Sequence, residues 1–500
     1  MGTSEGHDTN GRMGTRAAPD SGVFPCVCLA FALSTLVALP STAQTVDVER
    51  AAPPNAASSS SRPLAPDFSG DVDARKRYGI AALEIVGFDV ALNQANRRWS
   101  GSSDYDSNLS TIRRNLRSSW GVDHDPFDVN QFAHPYQGSV YHTIARSSGL
   151  SYWEASAYTF AGSIFWEIAG EKTRPSGNDQ VASGVGGSFL GEALFRMANL
   201  VLENGRGPRV VREGGAALIS PATGFNRLAF GDDRTPIFSS HNADYYSRAQ
   251  LGASRSSEDD AGLSNTATKR NELVAEFAID YGLPGKPGYE YSRPFDYFAF
   301  QGSVSSANGL ENVITRGSLF VRPYAFGPRY RGIVGVYGTY DYISPQTFRV
   351  SSTGLSLGTT GEWKASDVVS VQGSALLGAG YAAVGTVRSS DPLDYQYGVA
   401  PQGLLALRVI YANRLSFDVT GREYFVSRVA AADRGGHENI ARLDASLTYR
   451  VSGPHAVSVK YLGNRRDVSY PDIGSRSQTR ATIGLYYTYL GEDLFAGVKF

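Results

Sequence analysis

The sequence predicts a mixed architecture, an N-terminal helical module followed by a transmembrane antiparallel β-barrel of about 12 strands. Three observations predict it. After roughly residue 209, apolar and polar residues alternate in segments that recur about every 20 residues. Charged residues make up 19% of the chain while Tyr and Phe number 28 and 24, which suits strands with an aromatic outer surface rather than a soluble core. Ahead of the strands lie three apolar stretches long enough for helices.

In chain order, the first element is an apolar run from Val23 to Leu39, preceded by Arg12 and Arg16 and followed by Ser41-Thr42-Ala43. Basic region, apolar region and small-residue site describe a secretory signal peptide over 1–43, with Met13 an alternative start. A membrane helix is the competing reading, and about 17 apolar residues is marginal for a span. Cys26 and Cys28 both lie in this run. Cleavage after Ala43 leaves no cysteine, which excludes disulfides and thiolate chemistry. Residues 44–73, with Pro53-Pro54 and Ser58 to Ser61, read as a disordered linker.

The helical module is placed at 74–208, on Tyr78 to Asn93, Tyr152 to Gly170 and Val185 to Leu202. Glu84, Glu154, Glu167 and Glu192 interrupt these stretches, which argues against unpaired inner-membrane spans and for helices packed on one another. The barrel is placed at 209–500. Leu273, Ala275, Phe277, Ile279 and Tyr281 alternate with Val274, Glu276, Ala278 and Asp280. The same pattern puts Leu443, Ala445, Leu447 and Tyr449 on one face, and Ala481, Ile483, Leu485, Tyr487 and Tyr489 on another strand's face. A soluble sandwich would alternate likewise. The aromatic ends of the apolar faces, and a last segment putting Leu494, Ala496, Val498 and Phe500 on one face, favour the membrane barrel, with Phe500 as an assembly signal.

Polar and aromatic residues are densest from Asn130 to Glu192: Asn130, His134-Pro135, Gly138, Tyr141-His142, Ala145-Arg146, Trp166-Glu167, Glu171, Pro175-Ser176, Asn178-Asp179 and Gly191-Glu192. This run resembles the bacterial family catalogued as domain of unknown function 3943, over about residues 125–202. The resemblance implies an envelope location and a domain boundary, and no activity.

From the residues themselves, Glu167 and Glu171 fall at i and i+4, and His134 and His142 lie about two helical turns apart. His134, His142, Glu167 and Asp179 are therefore candidates for acid-base work or for ligands. The competing reading is structural: Arg146, Glu167, Glu171, Glu192 and Arg196 form a buried ion-pair lattice. Gly184-Val185-Gly186-Gly187 lacks the lysine of a phosphate loop, and no zinc-protease, CxxC or nucleophile-elbow motif is present, so no metal site and no cofactor are specified.

Lys plus Arg (47) balances Asp plus Glu (48), which excludes a dedicated nucleic-acid binder. The expected location is the cell outer membrane, with membrane lipid and the barrel-assembly machinery as partners and any small-molecule ligand unspecified. The expected function is a channel or envelope-structural barrel with the helices as periplasmic cap or lumen plug. The alternative is a lipid- or glycan-modifying hydrolase built on the His and carboxylate cluster.

Overall fold

The computed structural model describes residues 76–500 apart from 124, 205–206, 232–233, 260–268, 285, 347, 386–390, 429–434, 492–494 and 496–500. The expected signal peptide, linker and terminal face of Leu494, Ala496, Val498 and Phe500 lie outside the described residues.

Twelve strands among the described residues form one closed antiparallel barrel. They are β1 Tyr245–Asp259, β2 Asn271–Tyr281, β3 Phe298–Ser305, β4 Gly309–Phe326, β5 Tyr330–Ile343, β6 Arg349–Lys364, β7 Val369–Gly385, β8 Tyr395–Tyr411, β9 Leu415–Arg428, β10 His437–Ser452, β11 His455–Tyr470 and β12 Gly474–Leu490. Each strand pairs with the next in sequence, and β1 closes on β12 from Arg248 opposite Leu490 to Asp259 opposite Thr479. Closure leaves no unpaired sheet edge. The strand number matches the sequence expectation.

The period of two sorts every side chain to lumen or wall. On β10, Leu443, Leu447 and Tyr449 are exposed, while Glu438, Arg442, Ser446 and Thr448 are buried. The inward faces meet across the barrel. Arg408 of β8 bonds Asp280 of β2 at 3.1 Å, Lys460 of β11 bonds Glu276 of β2 at 2.7 Å, and Tyr424 of β9 donates to Asp341 of β5 at 2.7 Å. Two apolar clusters also face the interior. One holds Ile314, Ile343, Val350, Val384, Val426 and Ile440; the other holds Tyr297, Val321, Ile333, Tyr337, Leu376 and Leu404.

Among the described residues, seven α-helices of seven or more residues precede the barrel: α1 Tyr78–Trp99, α2 Leu109–Asn115, α3 His134–Ser147, α4 Tyr152–Phe165, α5 Gly187–Glu203, α6 Arg209–Ile219 and α7 Pro221–Phe230. A capping box starts α4: the Ser151 hydroxyl accepts from the Glu154 backbone N–H, and the Glu154 carboxylate accepts from that of Ser151. The central helix is α3, whose apolar core, Tyr141, Ile144 and Ala145, packs with Ala81 and Ile85 of α1, Ala155 of α4 and Ala222 of α7. The sequence reading differs at one boundary. It begins the barrel at 209, whereas α6 and α7 occupy that ground and the first strand starts at Tyr245. Neither helix is longer than three turns, and short helices give the weakest periodic signal.

The described helices pack on outward-facing strand residues rather than in the lumen. On β8, Tyr395 and Tyr397 share the outward face with exposed Leu405 and Leu407, opposite the luminal Gln402 and Arg408. Those two tyrosines hydrogen-bond Asn130 and Gln131 of the module at 2.8 and 2.9 Å. On β5, outward Tyr340 donates to the Gln131 carbonyl at 2.6 Å, and the Phe189 ring of α5 fills the notch at Gly338, where a Cβ would lie 2.4 Å from it. The module therefore lies against the outer wall. Phe127, Phe132, Phe189, Leu190 and Met197 pack on outward Ile279, Phe298, Val313, Tyr340 and Tyr342. Of the expected periplasmic cap or lumen plug, the plug is not what the described helices form: side chains of the barrel's own strands meet in the lumen.

Candidate functional site

The module buries two separate charged clusters. The first joins His134, Asp179, Glu167 and Glu171. Three helical segments of π geometry converge on it: Val129–Ala133 ends at His134, Trp166–Gly170 contains Glu167 and ends at Glu171, and Gln180–Gly186 begins directly after Asp179. Such wide turns are rare and concentrate at functional sites, because the extra residue re-aims neighbouring side chains.

Each carboxylate is held in place. Glu167 accepts the Ser176 backbone N–H at 2.8 Å. Glu171 accepts from the Trp166 indole at 2.8 Å and the Thr173 hydroxyl at 3.0 Å. Asp179 accepts from Asn178 at 3.0 Å, and Asn178 also donates to the Tyr397 hydroxyl at 2.8 Å, which ties the cluster to the wall. His134 Nε2 stands 4.0 Å from Asp179 Oδ2, a charge contact beyond hydrogen-bond reach.

Glu167 and Asp179 are 2% and 1% exposed, so their charge is desolvated. Burial, then the neighbouring carboxylates, raises the pKa of Glu167. Burial likewise raises those of Glu171 and Asp179. Asp125, beside them, is pushed up to about 7 by burial and by Asp123 and Glu171. For His134 burial alone would lower the pKa, but Asp179, Glu171, Glu167 and Asp125 together push it up to about 9. The cluster thus holds protons to an unusually high pH. Among the described residues no group of three or more His, Cys, Asp and Glu has the geometry to hold a metal ion.

The second cluster centres on Glu192 of α5, which is wholly buried. Arg146 Nε donates to it at 2.8 Å, Arg196 Nε at 2.9 Å, and His142 Nε2 lies 3.1 Å away. The two arginines and the hydrogen bond with His142 outweigh its burial and hold its carboxyl well below the usual range. Arg196 continues to Asp296 at 3.0 Å and to the Pro294 carbonyl at 2.6 Å, both in the connection between β2 and β3. The Phe238 ring receives Arg146, Arg196 and Arg293 at 4.7, 4.9 and 4.5 Å. Three cations share one aromatic face system.

The structure divides the residues singled out in the sequence. Arg146, Glu192 and Arg196 do form a lattice, but Glu167 and Glu171 take no part in it. Glu192 occupies both arginines, through its i, i+4 relation to Arg196 and the crossing of α3 over α5. Nor do His134 and His142 converge. Two turns of α3 send His134 to Asp179 and His142 to Glu192. Sequence reasoning missed Asp125, Asp296, Phe238, Tyr395 and Tyr397. Their patterning is that of loops or of an outward strand face, with nothing local to mark the partner.

Fold and clusters together define a twelve-strand β-barrel carrying a polar-cored helical module on its wall. Residues 119–222 match the family model described as Domain of unknown function (DUF3943), which begins ahead of α3 and ends within α7. No curated protein matches the chain. Among solved structures, the NanC porin is 8% identical with a TM-score of 0.26, covering 48% of this chain and 98% of its own. The outer membrane channel DcaP of Acinetobacter baumannii is 12% identical with a TM-score of 0.22, covering 49% of this chain and 97% of its own. The Pseudomonas putida toluene transporter TodX is 8% identical with a TM-score of 0.21, covering 49% and 89%. The barrel assignment stands on this chain's own strand pairing.

Proposed function

We propose that the chain is a non-conducting outer-membrane barrel with an envelope-structural role, anchoring the helical module at its wall. One observation carries the reading: the lumen is crossed by pairs such as Lys460–Glu276, Arg408–Asp280 and Tyr424–Asp341. One luminal cavity, beside Arg316, Asp341, Gln402 and Tyr424, measures about 20 Å³, room for about one water. Conduction would require pairs such as Lys460–Glu276 to part, each leaving an uncompensated charge in a low-dielectric interior. Outside, exposed Leu251, Leu377, Leu405, Leu485 and Ile483 supply the lipid-facing surface such a barrel needs. Lipid is then its solvent and the barrel-assembly machinery its route of insertion.

The test is fractionation followed by planar-bilayer recording. The protein is expected in outer membranes, to shift on gels when boiled, and to give no discrete conductance steps. Recovery as a soluble protein, or stable ohmic conductance, contradicts the proposal.

A second reading, a lipid- or glycan-modifying hydrolase, is favoured by the three π segments that meet at His134, Glu167 and Asp179. It does not include His142, whose partner is Glu192. Loss of hydrolysis of an envelope lipid or glycan in His134→Gln, with the module still folded, would favour it over the structural role.

A further inference from the structure

Helices α1 and α4 turn their polar residues inward and their apolar residues outward. Helix α1 buries Asp89, Asn93 and Asn96 alongside Ala81 and Ile85. Its exposed positions from Gly79 to Ala91 are Gly79, Ala82, Leu83, Val86, Gly87, Val90 and Ala91, with no charge among them. Leu83 is 75% exposed and Val90 53%. Helix α4 buries Thr159 and Ser163 and exposes Ala157, Phe160, Ala161, Ile164 and Phe165. Helix α7 repeats the inversion, burying Thr223, Asn226 and Arg227 while Phe225 and Leu228 are exposed.

Several of the inward polar groups find partners within the protein, though Asp89 Oδ2, Glu84 Oε1 and Asn226 Oδ1 are buried without a hydrogen bond. Tyr141 donates to Asp89, Asn93 donates to the Gly170 carbonyl at 2.6 Å, and Asn226 donates to Glu84 at 2.8 Å. A helix packed on a protein in water shows the reverse pattern, because exposed apolar area is disfavoured there and exposed polar groups are not. The inverted pattern is favourable only where the surroundings are less polar than the protein interior.

The apolar strip is bounded like a membrane layer. Tyr78 at one end of α1 and Trp99 at the other are both exposed, with Arg97 and Arg98 beside Trp99. Aromatic residues followed by basic ones mark an interface between hydrocarbon and headgroups. Like the strip, Leu355, Leu357, Leu377 and Leu405 of the wall are exposed and apolar.

We infer that the outward faces of α1, α4 and α7 contact the acyl chains of the membrane that holds the barrel. This rests on the barrel being a membrane protein. No described helix is long and apolar enough to cross a membrane. The inward Asp89, Asn93 and Asn96 lower the hydropathy of α1, and α3 and the segment Trp166–Gly170 take the polar face that lipid would reject.

The test uses the full chain with Cys26→Ser and Cys28→Ser, single substitutions Leu83→Cys, Val90→Cys and Phe160→Cys, and Leu405→Cys as the barrel control. Each is labelled with bimane and reconstituted in bilayers of brominated phosphatidylcholine, with aqueous iodide as the opposing quencher. Bromolipid quenching at the three helical sites is expected within about twofold of that at Leu405, with little effect of iodide. Iodide quenching at the helical sites while Leu405 remains lipid-quenched would overturn the inference and leave the barrel reading standing. Protection from both quenchers at the helical sites would overturn it too, because a second copy or another protein would then cover the strip. Loss of lipid quenching at Leu405 would remove the barrel reading itself.

Discussion

Arg196 and Asp296 join the helical module to the barrel through a bond of 3.0 Å, with both side chains 1% exposed. Because the same guanidinium also serves Glu192 and the Pro294 carbonyl, the contact is the inner end of a network rather than a surface pair. Removing one partner of a buried pair costs about 3 to 5 kcal/mol by leaving the other charge uncompensated. Asp296→Ala is therefore expected to loosen the module while the barrel stays closed. Limited proteolysis should release fragments from 76–244 while the remaining barrel still shifts on boiling; an unchanged digestion pattern would show that this pair does not hold the module.

The two clusters should respond oppositely to neutralisation. Glu192→Gln leaves Arg146 and Arg196 facing each other without their shared anion, and the module is expected to lose stability by about the same 3 to 5 kcal/mol. Glu167→Gln removes a charge that has no cationic side chain in hydrogen-bond contact and sits among Asp179 and Glu171, so at pH 8 it should leave the module as stable or more so. This reverses the effect expected from the sequence, where Glu167 is placed opposite arginines. Thermal melts of the two variants at pH 8 decide it, and greater destabilisation by Glu167→Gln would restore the original placement.

Stability of the module should fall as pH rises. The folded pKa of His134 is about 9 against an unperturbed 6.5, so its contribution is fully present below 6.5 and lost as pH passes 9. Asp125 acts in the same sense, its contribution being present below 3.8 and lost as pH rises through about 7. Hydrogen exchange of α3 and of the segment Trp166–Gly170, corrected for the intrinsic pH dependence, should show protection declining from pH 6 to 9. Protection that increases over that range would mean the cluster is not protonated in the folded state.

The barrel was legible because each strand carries its own period of two, and twelve such segments need no tertiary information to count. The side of the wall on which the helices lie was not legible. Tyr395 and Tyr397 read as ordinary outward residues, identical in pattern to Leu405 and Leu407, and only the fold distinguishes tyrosines covered by the π-helical segment Val129–Ala133 from leucines left exposed. The ion-pair lattice was half legible: Glu192 and Arg196 are four apart on one helix, a local relation. Glu167 and Glu171 also stand four apart, but π geometry and the extended backbone at Glu171 break the helical face on which the sequence argument depended. Asp296, about a hundred residues from Arg196, left no local trace.

The last expectation concerns how closely the central helices cross. At Gly138 of α3 an added Cβ would lie 2.0 Å from the Ser183 carbonyl oxygen, and at Gly187 of α5 it would lie 2.7 Å from the Gly138 backbone. Backbone, not a flexible side-chain tip, occupies both places, so neither contact can be relieved by a rotamer change. The two glycines set the separation of α3 and α5, and with it the distances from Arg146 and His142 on one helix to Glu192 on the other. Gly138→Ala should push the helices apart and cost about 1 to 3 kcal/mol from overpacking, with a further loss as the bonds to Glu192 lengthen. Gly214→Ala on α6, where nothing lies within 4 Å, is the matched control and should change little. Melting of the module in the two variants, followed by proteolysis at increasing temperature, separates them, and equal melting would mean that the crossing can widen without loss.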